Sequence, residues 1–167
     1  DSLCVFGHGG FGKSTSIIKA LQILNVKFLV LTKTHPLADK WFAEYGELEN
    51  FSVETVDHFF GLQPYSDILY GDCFSNAKKY DVILFDDAFL YDIRAFHQII
   101  LCKEWARQHH PKLKFIANGD PLQLNMLLDK NKFKLFDGNE FQKLEGFLSR
   151  IFLNVITLQH NKRLKSE

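Results

Sequence analysis

The sequence predicts an α/β fold, a mostly parallel sheet flanked by helices on both faces. Short apolar runs recur along the chain, separated by segments with helical periodicity. That alternation is the signature of βαβ units. The first apolar run passes straight into a glycine-rich turn and then into a helical pattern. Several later runs end in acidic or polar residues, at the strand ends where open α/β sheets bind ligands.

The first run, Ser2-Leu-Cys-Val-Phe6, reads as a buried strand. Gly7-His-Gly-Gly-Phe-Gly-Lys-Ser14 follows, with the spacing G-x-x-x-x-G-K-[ST] of a phosphate-binding loop, also called Walker A. Small residues at Gly7, Gly9, Gly10 and Gly12 let backbone N–H groups converge on a polyphosphate, with Phe11 among them. A helix opening near Lys13 adds free N–H groups and the positive end of its dipole, reaching Ser14 and Thr15. Lys13 supplies a point charge for the β and γ phosphates, and the Ser14 hydroxyl suits Mg²⁺.

Ile17, Ile18, Ala20, Leu21, Ile23 and Leu24 predict the apolar face of a helix from about Lys13 to Asn25. Lys27 to Lys33 reads as a second buried strand, ended by Thr34-His35-Pro36. Pro36 suits the first turn of a helix, which runs to about Tyr45 and stops at Gly46. Phe51 to Val56 is a weakly alternating third strand, and His58 to Gly61 a turn or short helix. Residues 62–80 read as loop with one helical turn at most. Asp81-Val-Ile-Leu-Phe-Asp86-Asp87 is the next strand, ending in two acids. Phe89, Ile93, Phe96 and Ile100 predict the core face of a long helix reaching about Gln108. Leu113 to Ala117 is a strand ending in Asn118-Gly-Asp-Pro121. Residues 122–150 alternate between helical and loop-like. Asn154 to Leu158 is a last strand of the core, followed by Gln159-His-Asn-Lys-Arg163.

Composition narrows the class without naming a partner. At 167 residues and 46% hydrophobic, the chain suits one domain spanning residues 1–167. The formal net charge is zero, so bulk charge points neither to nucleic acid nor to a membrane surface. Cys4, Cys73 and Cys102 lie far apart, without zinc or disulfide spacing, and read as reduced thiols of an intracellular protein of cytoplasm or nucleus. No run spans a bilayer and no signal peptide is seen, so no membrane partner is expected. The chain opens on a strand and stops after a basic segment, which suggests a piece of a larger protein.

Asp86 and Asp87 have the Walker B pattern, with Asp86 placed for Mg²⁺ and Asp87 for the attacking water. The alternative is a pair of ordinary acids in a strand–helix turn, a place where they can also cap the next helix. Gln123, in Gly119-Asp-Pro-Leu-Gln-Leu124, stands where it could reach a γ-phosphate, but a plain Gly-Asp-Pro turn fits as well. Arg163 is either a solvated cation or a charge-neutralising group aimed at the phosphates. His97, His109, His110 and Cys102 make no recognisable metal set. Trp41 and Trp105 read as packing on helices rather than base-stacking platforms, and Phe59 and Phe60 as core residues, with base stacking as the alternative.

The phosphate loop, Asp86-Asp87, Gly119 to Leu124 and Leu158 to Arg163 resemble motifs I, II, III and IV of superfamily 1 helicases, in family order. Thr32-Lys-Thr-His35 resembles motif Ia, and Thr55-Val-Asp-His-Phe59 the short Thr-x-x-His segment. The G-D-x-x-Q-L match is the diagnostic one, and the pattern is similar to the RecD-like and viral branches. The resemblance implies a first RecA-like motor domain, an NTPase that binds ATP or another NTP with Mg²⁺ and moves on single-stranded RNA or DNA. It implies Lys13 and Ser14 as nucleotide and metal residues, Asp86 as metal ligand and Asp87 as base. It further implies Gln123 as coupler, Arg163 as γ-phosphate contact, and Thr34, His35 and His58 along the single strand. Two departures stand out. Motif II has Asp where the family has Glu, and motifs V and VI, with the second RecA-like domain, are absent from these 167 residues. The competing readings are a small-molecule or nucleotide kinase and a non-catalytic nucleotide-binding module.

Overall fold

A computed structural model describes residues 2–62, 73–120 and 148–158. Six strands, β1 (Ser2–Phe6), β2 (Phe28–Thr32), β3 (Phe51–Thr55), β4 (Val82–Phe85), β5 (Lys114–Gly119) and β6 (Asn154–Thr157), form one sheet in the order β3-β2-β4-β5-β1-β6. Every pairing is parallel. The helices are α1 (Lys13–Ile23), α2 (His35–Tyr45), α3 (Val56–Phe59), α4 (Cys73–Ala77) and α5 (Ile93–His109), with a 3₁₀ turn at Ala88–Leu90. This is the α/β architecture expected, with the RecA-like arrangement of strands and crossovers. No helix among the described residues is long and apolar enough to cross a membrane.

Two cores lie on the two faces of the sheet, because parallel strands are covered on both sides. On one face α1 and α2 bury Ile17, Ile18, Leu21 and Trp41 against Val5, Phe28, Val30 and Leu84. On the other, α3 and α5 bury Phe59, Phe60, Phe96 and Ile99 against Phe6, Leu29, Leu31 and Phe85. Phe59 and Phe60 are thus core residues. Each fully buried Phe contributes roughly 1.5–3 kcal/mol of transfer free energy, and most phenylalanines among the described residues are buried.

Several boundaries differ from expectation for local reasons. Helix α1 stops at Ile23 rather than Asn25, because Asn25 adopts a left-handed backbone with φ 51°. Its N–H reaches the Gln22 carbonyl and the Val26 N–H reaches that of Leu21, closing a Schellman motif. Ala20, Ile23 and Leu24 consequently face outward, and the buried stripe is only Ile17, Ile18 and Leu21. Val56 belongs to α3, not β3. The segment 62–80 contains a helical turn at α4; residues 63–72 lie outside the described residues, as do 121–147.

The predicted long helix from Phe89 is two elements. Phe89 sits on the 3₁₀ turn, and α5 starts afresh at Ile93 behind Asp92, whose carboxylate accepts from the Ala95 N–H at 3.0 Å. The restart changes the phase. Ile93 and Ile100 are exposed, and Ala95, Phe96, Ile99, Cys102 and Ala106 form the core face instead. Strand β5 runs two residues past Ala117 and takes in Asn118 and Gly119. Among the described residues, strand β6 pairs only with β1, stands at the edge of the sheet and is exposed along its length, so it is not part of the core.

Candidate functional site

Register brings the chemistry to one edge of the sheet. Phe6 of β1 pairs with Gly119 of β5, and Phe85 of β4 pairs with Ala117. The residues just beyond, Gly7 to Lys13, Asp86-Asp87 and Asn118 to Asp120, therefore emerge side by side. A cleft of about 650 Å³ opens there, lined by the glycine loop, the first turns of α1, one face of α2, and Asp86 and Asp87.

The glycine loop has the backbone that its residues permit. Gly10 (φ 88°) and Gly12 (φ 77°) are both left-handed, a conformation in which a Cβ is strained. Gly12 is the N-cap of α1 and no side chain caps that end. The first N–H groups of the helix are thus left for another acceptor, the arrangement that binds anions. Lys13 is buried and folds back on the loop, donating to the Gly7 carbonyl at 2.6 Å and the His8 carbonyl at 3.3 Å.

Asp120 closes the loop from outside. Its carboxylate accepts from the Gly9 N–H at 2.7 Å and stands 3.2 Å from His8 Nδ1. From the residues alone Asp120 reads as part of a Gly-Asp-Pro turn with no assigned role. Asn118 was missed as well. It is 1% exposed, accepts from the Asp87 N–H at 2.9 Å, and its amide points at Ser14 Oγ at 3.4 Å. One side chain thereby ties the end of β4 to the start of α1. The available signal was its position as a polar residue closing an apolar run.

Asp86 is buried and accepts from the Trp41 indole N–H at 2.7 Å. Trp41 does pack on a helix as expected, but its N–H also reaches into the site. Asp87 follows with φ 48°, ψ 49°, and no side-chain bond caps the turn it precedes. Neither acid caps α5, whose N-cap is Asp92. Burial, followed by the charge of Asp86, pushes the Asp87 carboxyl up to about 6, with Lys13 and Lys40 opposing and Asp120 adding to the rise. An acid ionising near neutrality is what general-base chemistry needs. On the cleft wall, burial and the Glu44 carboxylate push Tyr45 up to about 12.

The donor set fits a hard cation. Ser14 offers a hydroxyl and Asp86 a buried carboxylate, the one or two oxygen ligands that Mg²⁺ takes alongside nucleotide phosphates. Thr34, His35 and His58 stand at the same edge, after β2 and β3, and are solvent-exposed. His58 pairs with Glu54, and its N–H is capped by Thr55 Oγ1 at 3.2 Å. Lys33 beside them reaches Asp57 at 3.3 Å and Asp92 at 3.6 Å. Gln123 and Arg163 lie outside the described residues.

Against known proteins, no family model matches the chain and no curated protein matches it. Solved structures do match in fold. A Bacteroides Pif1 bound to single-stranded DNA aligns with a TM-score of 0.61 at 15% identity, over 99% of this chain and 40% of that one. A Bacteroides Pif1 in complex with ADP-AlF4 aligns with a TM-score of 0.60 at 16% identity, with the same coverage. Two coordinating Pif1 helicases on forked double-stranded DNA give 0.60 at 15% identity, over 99% and 41%. The chain therefore spans about two-fifths of the length of these structures.

Proposed function

We propose that the chain is the ATP-binding motor domain of a superfamily 1 helicase or translocase, acting inside the cell on single-stranded RNA or DNA. The observation that carries this reading is the convergence of Lys13, Ser14, Asp86, Asp87 and Asn118 at adjoining strand ends. The Pif1 structures that share the fold hold ADP-AlF4 in one case and single-stranded DNA in another, which supports both the ligand and the partner.

In this reading the loop N–H groups of Gly9 to Thr15 and the Lys13 ammonium hold the phosphates. Lys13 leaves its two loop carbonyls to do so. Ser14 and Asp86 hold Mg²⁺, which when bound neutralises phosphate charge. Asp87 accepts a proton from water, with its backbone steadied by Asn118. Gln123 couples the γ-phosphate to the strand, Arg163 contacts that phosphate, and Thr34, His35 and His58 lie along the strand backbone. A second RecA-like domain completes the site.

The test is Mg·ATP hydrolysis with and without single-stranded DNA or RNA. The 167-residue chain alone is expected to turn over near background. Fused to a following RecA-like domain from its own reading frame, it is expected to gain strand-stimulated turnover. Fast strand-independent hydrolysis by the chain alone, or phosphoryl transfer to a small acceptor, would contradict the motor reading.

A further inference from the structure

We infer that Trp41 is a positioning residue for the metal-binding carboxylate, holding Asp86 in place for the cation through its indole N–H. The inference rests on the reading of Asp86 given above and deepens it.

The contact joins distant parts of the chain. Trp41 lies on α2, 45 residues before Asp86, and the 2.7 Å bond is buried. Both residues are 6% exposed. The indole is itself held: its ring stacks on Phe51 at 6.4 Å with a 24° tilt and lies 5.3 Å from Tyr45. Phe51 is edge-on to Phe28 at 5.6 Å, inside the same core. The N–H direction is thereby set by aromatic packing and not by a flexible stem. An indole can only donate, and here it gives its one N–H to the carboxylate. It engages Oδ2 alone, which leaves Oδ1 as a ligand atom. Trp41 also lines the cleft next to Lys40 and Glu44.

A buried indole needs some hydrogen-bond partner in any protein. Packing alone would make Trp41 matter for stability and leave the Mg²⁺ dependence untouched. The positioning role makes the opposite prediction. Trp41→Phe keeps an aromatic ring in the stack and deletes the N–H. Groups that orient a metal ligand typically change metal affinity by about 10-fold or more.

The experiment is calorimetric titration of Mg²⁺ into the 167-residue chain with a non-hydrolysable ATP analogue, beside Trp41→Phe. The expected result is a Mg²⁺ midpoint raised about 10-fold or more, a larger change than any in analogue affinity measured in EDTA. An unshifted midpoint in a folded variant overturns the inference while leaving nucleotide binding intact. Absence of Mg²⁺-dependent binding in the unmodified chain would instead sink the proposed function. If Trp41→Phe does not fold, Trp105→Phe decides the matter. It leaves Trp41 as the one remaining indole of two. Its emission is expected to change when Mg²⁺ joins the bound analogue, and not to change in the same background carrying Asp86→Asn. Mg²⁺-dependent binding with constant Trp41 emission overturns the inference.

Discussion

Asp87 holds two unfavourable states at once, a left-handed backbone and a carboxyl pushed up to about 6 by burial and by Asp86. A carboxyl whose folded value lies above its unfolded one destabilises the fold once ionised. The penalty is absent below about pH 4, grows as pH rises from 4 to 6, and is complete above. Asp87→Asn removes the charge and keeps a residue that tolerates the left-handed backbone. In metal-free buffer at pH 7.5 it is expected to stabilise the chain by about 1–3 kcal/mol, and by little at pH 4. Urea melts at the two pH values check this; an equal effect at both would contradict it. Gly119 makes a different demand. A Cβ there would lie 2.3 Å from the Phe89 ring, so Gly119→Ala is expected to cost about 1–3 kcal/mol by overpacking. The double variant with Phe89→Ala should recover part of the Gly119→Ala cost if the clash is the cause.

Among the elements, the strands were the most legible. Parallel strands buried on both faces leave unbroken apolar runs, and each run bounded by a Gly, Pro or acidic residue became a strand within a residue or two. Helix ends were less so, because caps act through backbone geometry that periodicity does not register. Asn25 ends α1 by adopting φ 51°, and nothing in the apolar spacing announces it. Asp92 restarts the helix after the 3₁₀ turn, so a phase read from Phe89 exposed Ile93 and Ile100. The site shows the same division. The glycine loop and Asp86-Asp87 were legible because the chemistry dictates local spacing. The Asn118 bridge, the Asp120 clasp on Gly9 and the Trp41 bond to Asp86 join residues 31 to 111 positions apart, and only the fold brings them together. The Asp92 cap yields a prediction at this scale. Partial burial opposes ionisation, but the Ala95 N–H, Lys33 and Arg94 outweigh it and hold the carboxyl below its ordinary value. Its contribution is therefore present at neutral pH and lost as pH falls below 4. Asp92→Ala is expected to cost about 1 kcal/mol at pH 7 and less at pH 3. Thermal melts at both pH values measure this, and a cost that grows toward pH 3 would contradict it.

For the whole molecule, sheet order is what makes a site out of separate motifs. With β1 between β5 and β6, and β4 beside β5, the loops after β1, β4 and β5 crowd one edge. The crossover from β1 to β2 passes over β5 and β4 and carries α1, the next one from β2 to β3 carries α2, and both helices pack on one face. The face of α2 bearing Trp41 and Lys40 thereby lines the same cleft as the glycine loop. Whether this edge is a working phosphate site is decided by one titration. A fluorescent ATP analogue with Mg²⁺ is titrated with the chain and with Lys13→Ala. Saturable binding by the chain is expected. In Lys13→Ala binding is expected to weaken about 10- to 100-fold, the worth of a lost charge-assisted hydrogen bond. No saturable binding by the chain, or equal binding by both proteins, would contradict a working phosphate site.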